Sequence, residues 1–166
     1  MMQKDFAQQL IKGKIAEVVF DQMFREAGRY TVIPFGYETV LSDLHQYFHR
    51  DTEKELFETV RNAPDFALVT HEPEDVHLVE VKYKTKVNLV FLRKDAAAIY
   101  ERWKLASIFV ATPEGFFFDH CRDLAKSGSE LTPLSDEIIP NDLQEKYRAV
   151  LNEFVGKADV ESTIKT

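Results

Sequence analysis

Apolar positions along the chain follow a helical period in some stretches and a strand period in others. From about Lys4 to Ala27, the residues Phe6, Leu10, Ile15, Val18, Val19, Met23 and Ala27 recur at helical spacing and predict an amphipathic helix. Gly28 stands where a C-cap glycine would end it. Tyr30–Phe35 reads as a strand closed by Gly36. Helical spacing returns over Thr39–Asn62, through Leu41, Leu44, Tyr47, Phe48, Leu56, Phe57 and Val60. A break is expected near Arg50-Asp51-Thr52, with Asp51 or Thr52 capping the second half. Pro64 then opens a short apolar run, Asp65–Val69, and proline is tolerated at the first position of a strand. His71-Glu72-Pro73-Glu74-Asp75 carries turn chemistry, and Val76–Lys86 is β-branched and alternating.

Val87–Leu92 is apolar and either extends that strand or begins a new one. Asp95 is the expected cap of a helix running to about Trp103. Ala106–Ala111 is uninterruptedly apolar, as a central strand should be. Pro113-Glu114-Gly115 makes a turn into a further strand, Gly115–Phe118. Asp123–Pro140 is loop-rich, and Asn141 or Asp142 caps a closing helix carrying Leu143, Tyr147, Val150, Leu151 and Phe154. This order predicts an α/β fold with a mixed central sheet of four to five strands flanked by helices. Residues 1–156 are expected to form a single domain, and 157–166 a flexible polar tail.

Alternation in the hairpin sorts its side chains. Val79, Val81 and Tyr83 share one face, and Glu80, Lys82, Lys84 and Lys86 the other. A hairpin closed around Glu72-Pro73 sets Asp65 directly opposite Glu80. Cross-strand neighbours have Cβ atoms roughly 4.5–5.5 Å apart, close enough for two carboxylates to repel unless a proton or cation lies between them. Asp65 and Glu80 are therefore the expected ligands of a divalent metal, with Lys82 two residues along the same strand. Glu17 projects at the edge of the first helix's apolar face, between Leu10 and Phe24.

Composition refines this in three ways. The net charge of −7 sits uneasily with a nucleic-acid partner, yet Lys82, Lys84, Lys86, Arg93, Lys94, Arg102 and Lys104 fall in one short window. No apolar run approaches the roughly 20 residues that span a bilayer, and the first residues lack a signal peptide's apolar stretch. Cys121 is the single cysteine, so no internal disulfide can form. A cytoplasmic protein without a membrane partner is the expectation.

Glu80-Val81-Lys82 is the one Glu-x-Lys tripeptide in the chain, and Pro64-Asp65 the one Pro-Asp pair. Such short patterns carry weight only through their context. With Gly13–Glu17, Gly28–Val32, Pro64-Asp65-Phe66 and Val79–Tyr83, the stretch from about Gly13 to Gly115 resembles the PD-(D/E)xK, or restriction-endonuclease-like, superfamily. It is closest in pattern to Holliday-junction resolvases and related endonucleases. The resemblance implies a restriction-endonuclease-like core and a metal-dependent endodeoxyribonuclease. It further implies catalytic residues Glu17, Asp65, Glu80 and Lys82, with Mg²⁺ or Mn²⁺ held by Asp65 and Glu80. Duplex or branched DNA would be the substrate, and a homodimer is compatible with it. Lys84, Lys86, Arg93 and Lys94 would meet backbone phosphates, giving affinity without sequence readout. Relatives carry a glutamine or tyrosine on the helix after the lysine strand; here Tyr100 answers to the tyrosine, and the glutamine is missing.

Other constellations are weaker. Asp43 is a rival acid, far from Glu80 in sequence. His45 and His49 stand at i, i+4 without a glutamate after His45 or a nearby third ligand, so a solvated helix face accounts for them. His120-Cys121 with Asp119 lacks an oxyanion-hole signature. The alternative to a nuclease is a catalytically inactive member of the fold that binds nucleic acid or a protein.

Overall fold

The first helix forms where its apolar spacing places it, as α1, Met2–Glu26. Its inner face buries Ala16, Val19, Phe20, Met23 and Phe24. Gly28 ends it at φ +73°, a left-handed conformation that side chains with a Cβ rarely adopt. A computed structural model describes residues 2–36 and 54–164; Asp43, His45, His49 and the expected break near Arg50-Asp51-Thr52 lie outside them. The elements that follow are β1 (Tyr30–Pro34), α2 (Lys54–Arg61), β2 (Phe66–His71), β3 (Glu74–Tyr83) and α3 (Leu89–Arg102). β4 (Ala106–Thr112), β5 (Gly115–His120), α4 (Cys121–Leu124) and α5 (Asn141–Ile164) complete the order.

Among the described residues the strands form one five-stranded mixed sheet in the order β1-β2-β3-β4-β5, flanked by helices. All neighbours are antiparallel except β3 and β4. A parallel pair needs a crossover, and α3 supplies it. Val79, Val81, Tyr83, Phe109 and Ala111 face one side and pack with α1 and with Leu151 and Val155 of α5. Phe20 lies at the centre of that layer, 5.1 Å between centroids from both Phe66 and Phe109. Ile108 and Val110 face the other side, against Leu92 and Ala96 of α3 and Cys121 and Leu124 of α4. β4 is thus buried on both faces, which is why its apolar run has no polar alternation.

Two boundaries differ from the sequence reading. Val87–Leu92 neither extends β3 nor starts a strand, because Asn88 caps α3: its side-chain oxygen accepts the N–H of Val90 at 3.1 Å and of Phe91 at 3.3 Å. Asp95 consequently lies in the helix interior, not at its start. α5 also runs through Gly156 to Ile164, so residues 157–164 continue the closing helix. A mid-helix glycine costs about 1 kcal/mol. Packing along α1 and the Lys12–Asp159 ion pair at 2.8 Å oppose that cost. Among the described residues no helix is long and apolar enough to cross a membrane.

Candidate functional site

β2 and β3 pair from His71↔Glu74 to Phe66↔Val79, and one further step in that register sets Asp65 opposite Glu80. Asp65 precedes the paired strand, and its hydrogen bonds come from two other parts of the chain. Its side-chain Oδ2 accepts the backbone N–H of Val81 at 2.8 Å. Its carbonyl accepts the N–H groups of Phe35 at 2.9 Å and Gly36 at 3.0 Å. The end of β1 and the middle of β3 therefore both fix this one residue. Gly36 is part of the fit, since a Cβ there would come 3.3 Å from the Asp65 Cα. A Gly36→Ala protein is expected to push Asp65 away by a few tenths of an ångström while remaining folded, and to lower by about tenfold or more any activity that depends on the placement of that carboxylate. Unchanged activity in a steady-state assay would show that the contact is immaterial.

Glu17, Asp65, Glu80 and Lys82 all line one cavity of about 460 Å³. Residues from α1, the end of β1, the end of α2, β3 and α3 close it. Burial, then the charge of Glu80, raises the Asp65 carboxyl to about 7; the Val81 N–H opposes this, Glu17 adds to it and Lys82 lowers it. Near neutral pH, Asp65 is accordingly poised between holding a proton and yielding the place to a cation. Lys82 Nζ donates to Glu80 Oε1 at 2.6 Å. Burial works against the charge on Lys82, but Glu80 outweighs it, with help from Asp95 and Asp65, and the ammonium is held above its ordinary value. Glu17 is paired with Lys14 at 2.9 Å.

The donor set fits a hard divalent cation. Asp65 and Glu80 stand opposite each other in register, the Asp65 carboxyl is raised by burial and then by the charge of Glu80, and among the described residues Asp65 Oδ1 accepts no hydrogen bond. No group of three or more His, Cys, Asp or Glu side chains among the described residues could by itself hold a metal. Asp65 and Glu80 would thus supply one or two ligands and leave the rest to water and substrate, the manner in which Mg²⁺ is commonly bound.

The expected phosphate contacts lie elsewhere. Arg93 is committed to the loop after α4: its Nε donates to the Ser129 carbonyl at 3.0 Å, and its Nη2 bonds the same oxygen. Lys94 is exposed, with Nζ 6.0 Å above the Phe91 ring, and Lys84 and Lys86 follow β3 outside the cavity lining. The cations that do line it, besides Lys82, are Lys14, Arg61 and Arg102. Asp95, Ala98, Ile99 and Arg102 share one face of α3 and all line the cavity. That spacing is readable in the sequence once the helix is known to begin at Leu89. Tyr100 instead packs with the Leu92 and Ala96 cluster, under the Lys104 ammonium 4.4 Å from its ring.

The His120-Cys121 pair offers no nucleophile. Burial foremost, with Glu80 and Asp119 adding to it, pushes the Cys121 thiol up to about 12. Asp119 accepts the Thr132 N–H at 2.9 Å, and the His120 Nδ1 lies 3.1 Å from Ser107 Oγ. Neither a protein-family model nor a curated protein sequence matches the chain.

Proposed function

We propose that the cavity is the active site of a metal-dependent nuclease that hydrolyses DNA phosphodiester bonds, carried on a restriction-endonuclease-like core of the PD-(D/E)xK type. The observation that carries this proposal is the placement of Asp65 against Glu80, with Lys82 bonded to Glu80, on the wall of a cavity that Glu17 also reaches. The sequence of helix, strand, hairpin, crossover helix and strand supports the core.

Asp65 and Glu80 would hold Mg²⁺ or Mn²⁺, which when bound polarises a phosphate and makes water a stronger nucleophile. Lys82, kept protonated by Glu80, Asp95 and Asp65, supplies a fixed positive charge where negative charge builds up on the phosphate. Glu17 presents a carboxylate to the same cavity and can orient a water by hydrogen bonding. The wall from α3 places Ala98 and Ile99 beside these charged groups and limits the water around them. Duplex or branched DNA is the proposed substrate, and a homodimer is the proposed assembly.

A second reading, a non-cleaving module for nucleic acid or protein, is favoured by the net charge of −7. An apolar groove between α1 and α5, lined by Leu10, Ile11, Val18 and Phe154, also favours it. Incubation with linear, supercoiled and four-way-junction DNA in Mg²⁺, Mn²⁺ or EDTA separates the two. Cleavage that needs the metal and disappears in Asp65→Ala is the expected result. Equal cleavage by Asp65→Ala would point to a contaminant, and tight binding with no cleavage of any substrate would support the non-catalytic module.

A further inference from the structure

We propose that Arg61 and Arg102 form an anion clamp on the cavity wall that grips a phosphate of the nucleic acid other than the one being hydrolysed. Arg61 lies in the last turn of α2 and Arg102 in the last turn of α3. The residues that follow them are joined directly: the Trp103 indole N–H donates to the Asn62 carbonyl at 3.1 Å. Trp103 also meets Phe35 edge-on, 5.7 Å between centroids, which anchors the junction to the end of β1. The two arginines thus arise beside the two ends of one hydrogen bond, and both line the cavity.

Charge pairing separates them from the other cations there. Lys14 and Lys82 contact Glu17 and Glu80 at 2.9 and 2.6 Å. Among the described residues Arg61 makes an ion pair only with Glu58, at 4.0 Å. Arg102 takes part in no ion pair or hydrogen bond among the described residues. A last-turn arginine offsets the helix dipole by about 0.3–1 kcal/mol wherever it points. The dipole does not require two helices to end at one cavity with an arginine from each lining it. A guanidinium presents a planar fork of donors that matches a phosphate, and two such groups can share one anion. That the anion is a nucleic-acid phosphate rests on the proposed nuclease site; that two arginines bind an anion there does not. The phosphate is either an internal diester next to the scissile one or a terminal monoester, since both present the same oxygens.

The test is binding in EDTA, where no cleavage occurs, read by fluorescence anisotropy. The probes are a short labelled duplex with 5′-phosphates, the same duplex without them, and a labelled duplex closed by a hairpin loop at each end so that it has no free terminus. Arg61→Ala and Arg102→Ala are each expected to weaken binding about tenfold and to lower the slope of log affinity against log salt by about 0.9. Arg102→Lys is expected to restore the slope but only part of the affinity, because it keeps the charge and loses the fork. Equal losses on all three probes identify an internal diester; a loss confined to the 5′-phosphorylated duplex identifies a terminal monoester. Wild-type affinity and slope in both alanine variants would overturn the clamp, as would failure of the wild type to bind any probe. Arginine-dependent binding by a protein that cleaves no DNA would leave the clamp standing and remove the hydrolytic proposal. Metal-dependent cleavage together with unaltered binding by the arginine variants would do the reverse.

Discussion

An Asp65→Asn protein is expected to melt several degrees above the wild type in mildly alkaline buffer and to cleave no DNA. The carboxyl of Asp65 is raised from 3.8 to about 7, chiefly by burial and then by Glu80. Between those values the folded protein holds a proton that the unfolded chain has released. Stability therefore falls as pH rises from about 4 to about 7 and stays low above it. Roughly three pH units at about 1.4 kcal/mol each set a ceiling on the order of 4 kcal/mol. Asparagine retains an oxygen to accept the Val81 N–H and removes the charge, so about 1–3 kcal/mol should be recovered. For a chain of this size each kcal/mol moves the melting temperature by about 2–4 °C.

Thermal melts across pH check the sign. The advantage of Asp65→Asn should vanish near the acid end of the range, where the wild-type carboxyl is protonated as well. A second arm titrates Mg²⁺ or Mn²⁺, which should raise the melting temperature of the wild type and leave the variant unmoved, because only a protein whose native state binds the ion gains from it. A variant less stable than the wild type at every pH would sink the electrostatic account of Asp65. A wild type indifferent to either cation would sink the metal site.

Lys82→Ala is expected to lower the rate of DNA cleavage at least about a hundredfold while leaving binding in EDTA nearly unchanged. The ammonium is held at 2.6 Å from Glu80 and kept protonated by three surrounding carboxylates, so its position costs no rearrangement when charge develops on the substrate. Its loss also leaves Asp65 and Glu80 without the one cation among the causes that lower the Asp65 carboxyl. Cleavage by Lys82→Ala should accordingly require more alkaline conditions as well as being slow. Single-turnover kinetics at saturating protein separate chemistry from binding. A rate within about threefold of wild type would remove Lys82 from the catalytic step.

Both expectations express one feature of the molecule: the cavity gathers charged groups of both signs around one carboxyl that is held well above its ordinary range. Glu17, Asp65, Glu80 and Asp95 line the same space, and Asp65 is largely withdrawn from water. The raised carboxyl of Asp65 opposes folding at neutral pH, and it is this perturbation in a cavity that supports the proposed site. The acidic total charge is compatible with an anionic substrate because Lys14, Arg61, Lys82 and Arg102 are gathered where the substrate would sit.

Local pattern alone determined α1, the double-sided burial of β4 and the register of the hairpin. These rest on short-range physics: helical spacing, an uninterrupted apolar run, and a turn around Glu72-Pro73 that fixes which residue faces Glu80. Asp65, Glu80 and Lys82 were legible for that reason. Asn88 and Asp95 are both good helix caps, and local chemistry could not choose between them; the packing of Leu92 and Ala96 against Ile108 and Val110 decided. That choice turned Asp95 and Arg102 toward the cavity. Arg93, two residues before Asp95, was drawn instead to Ser129. Arg61 entered through the Trp103–Asn62 hydrogen bond between residues 41 apart in the chain. Spacing rules reach a turn or two, whereas the direction in which a helix aims its charges is set by how it crosses the sheet, and only the tertiary structure fixes that.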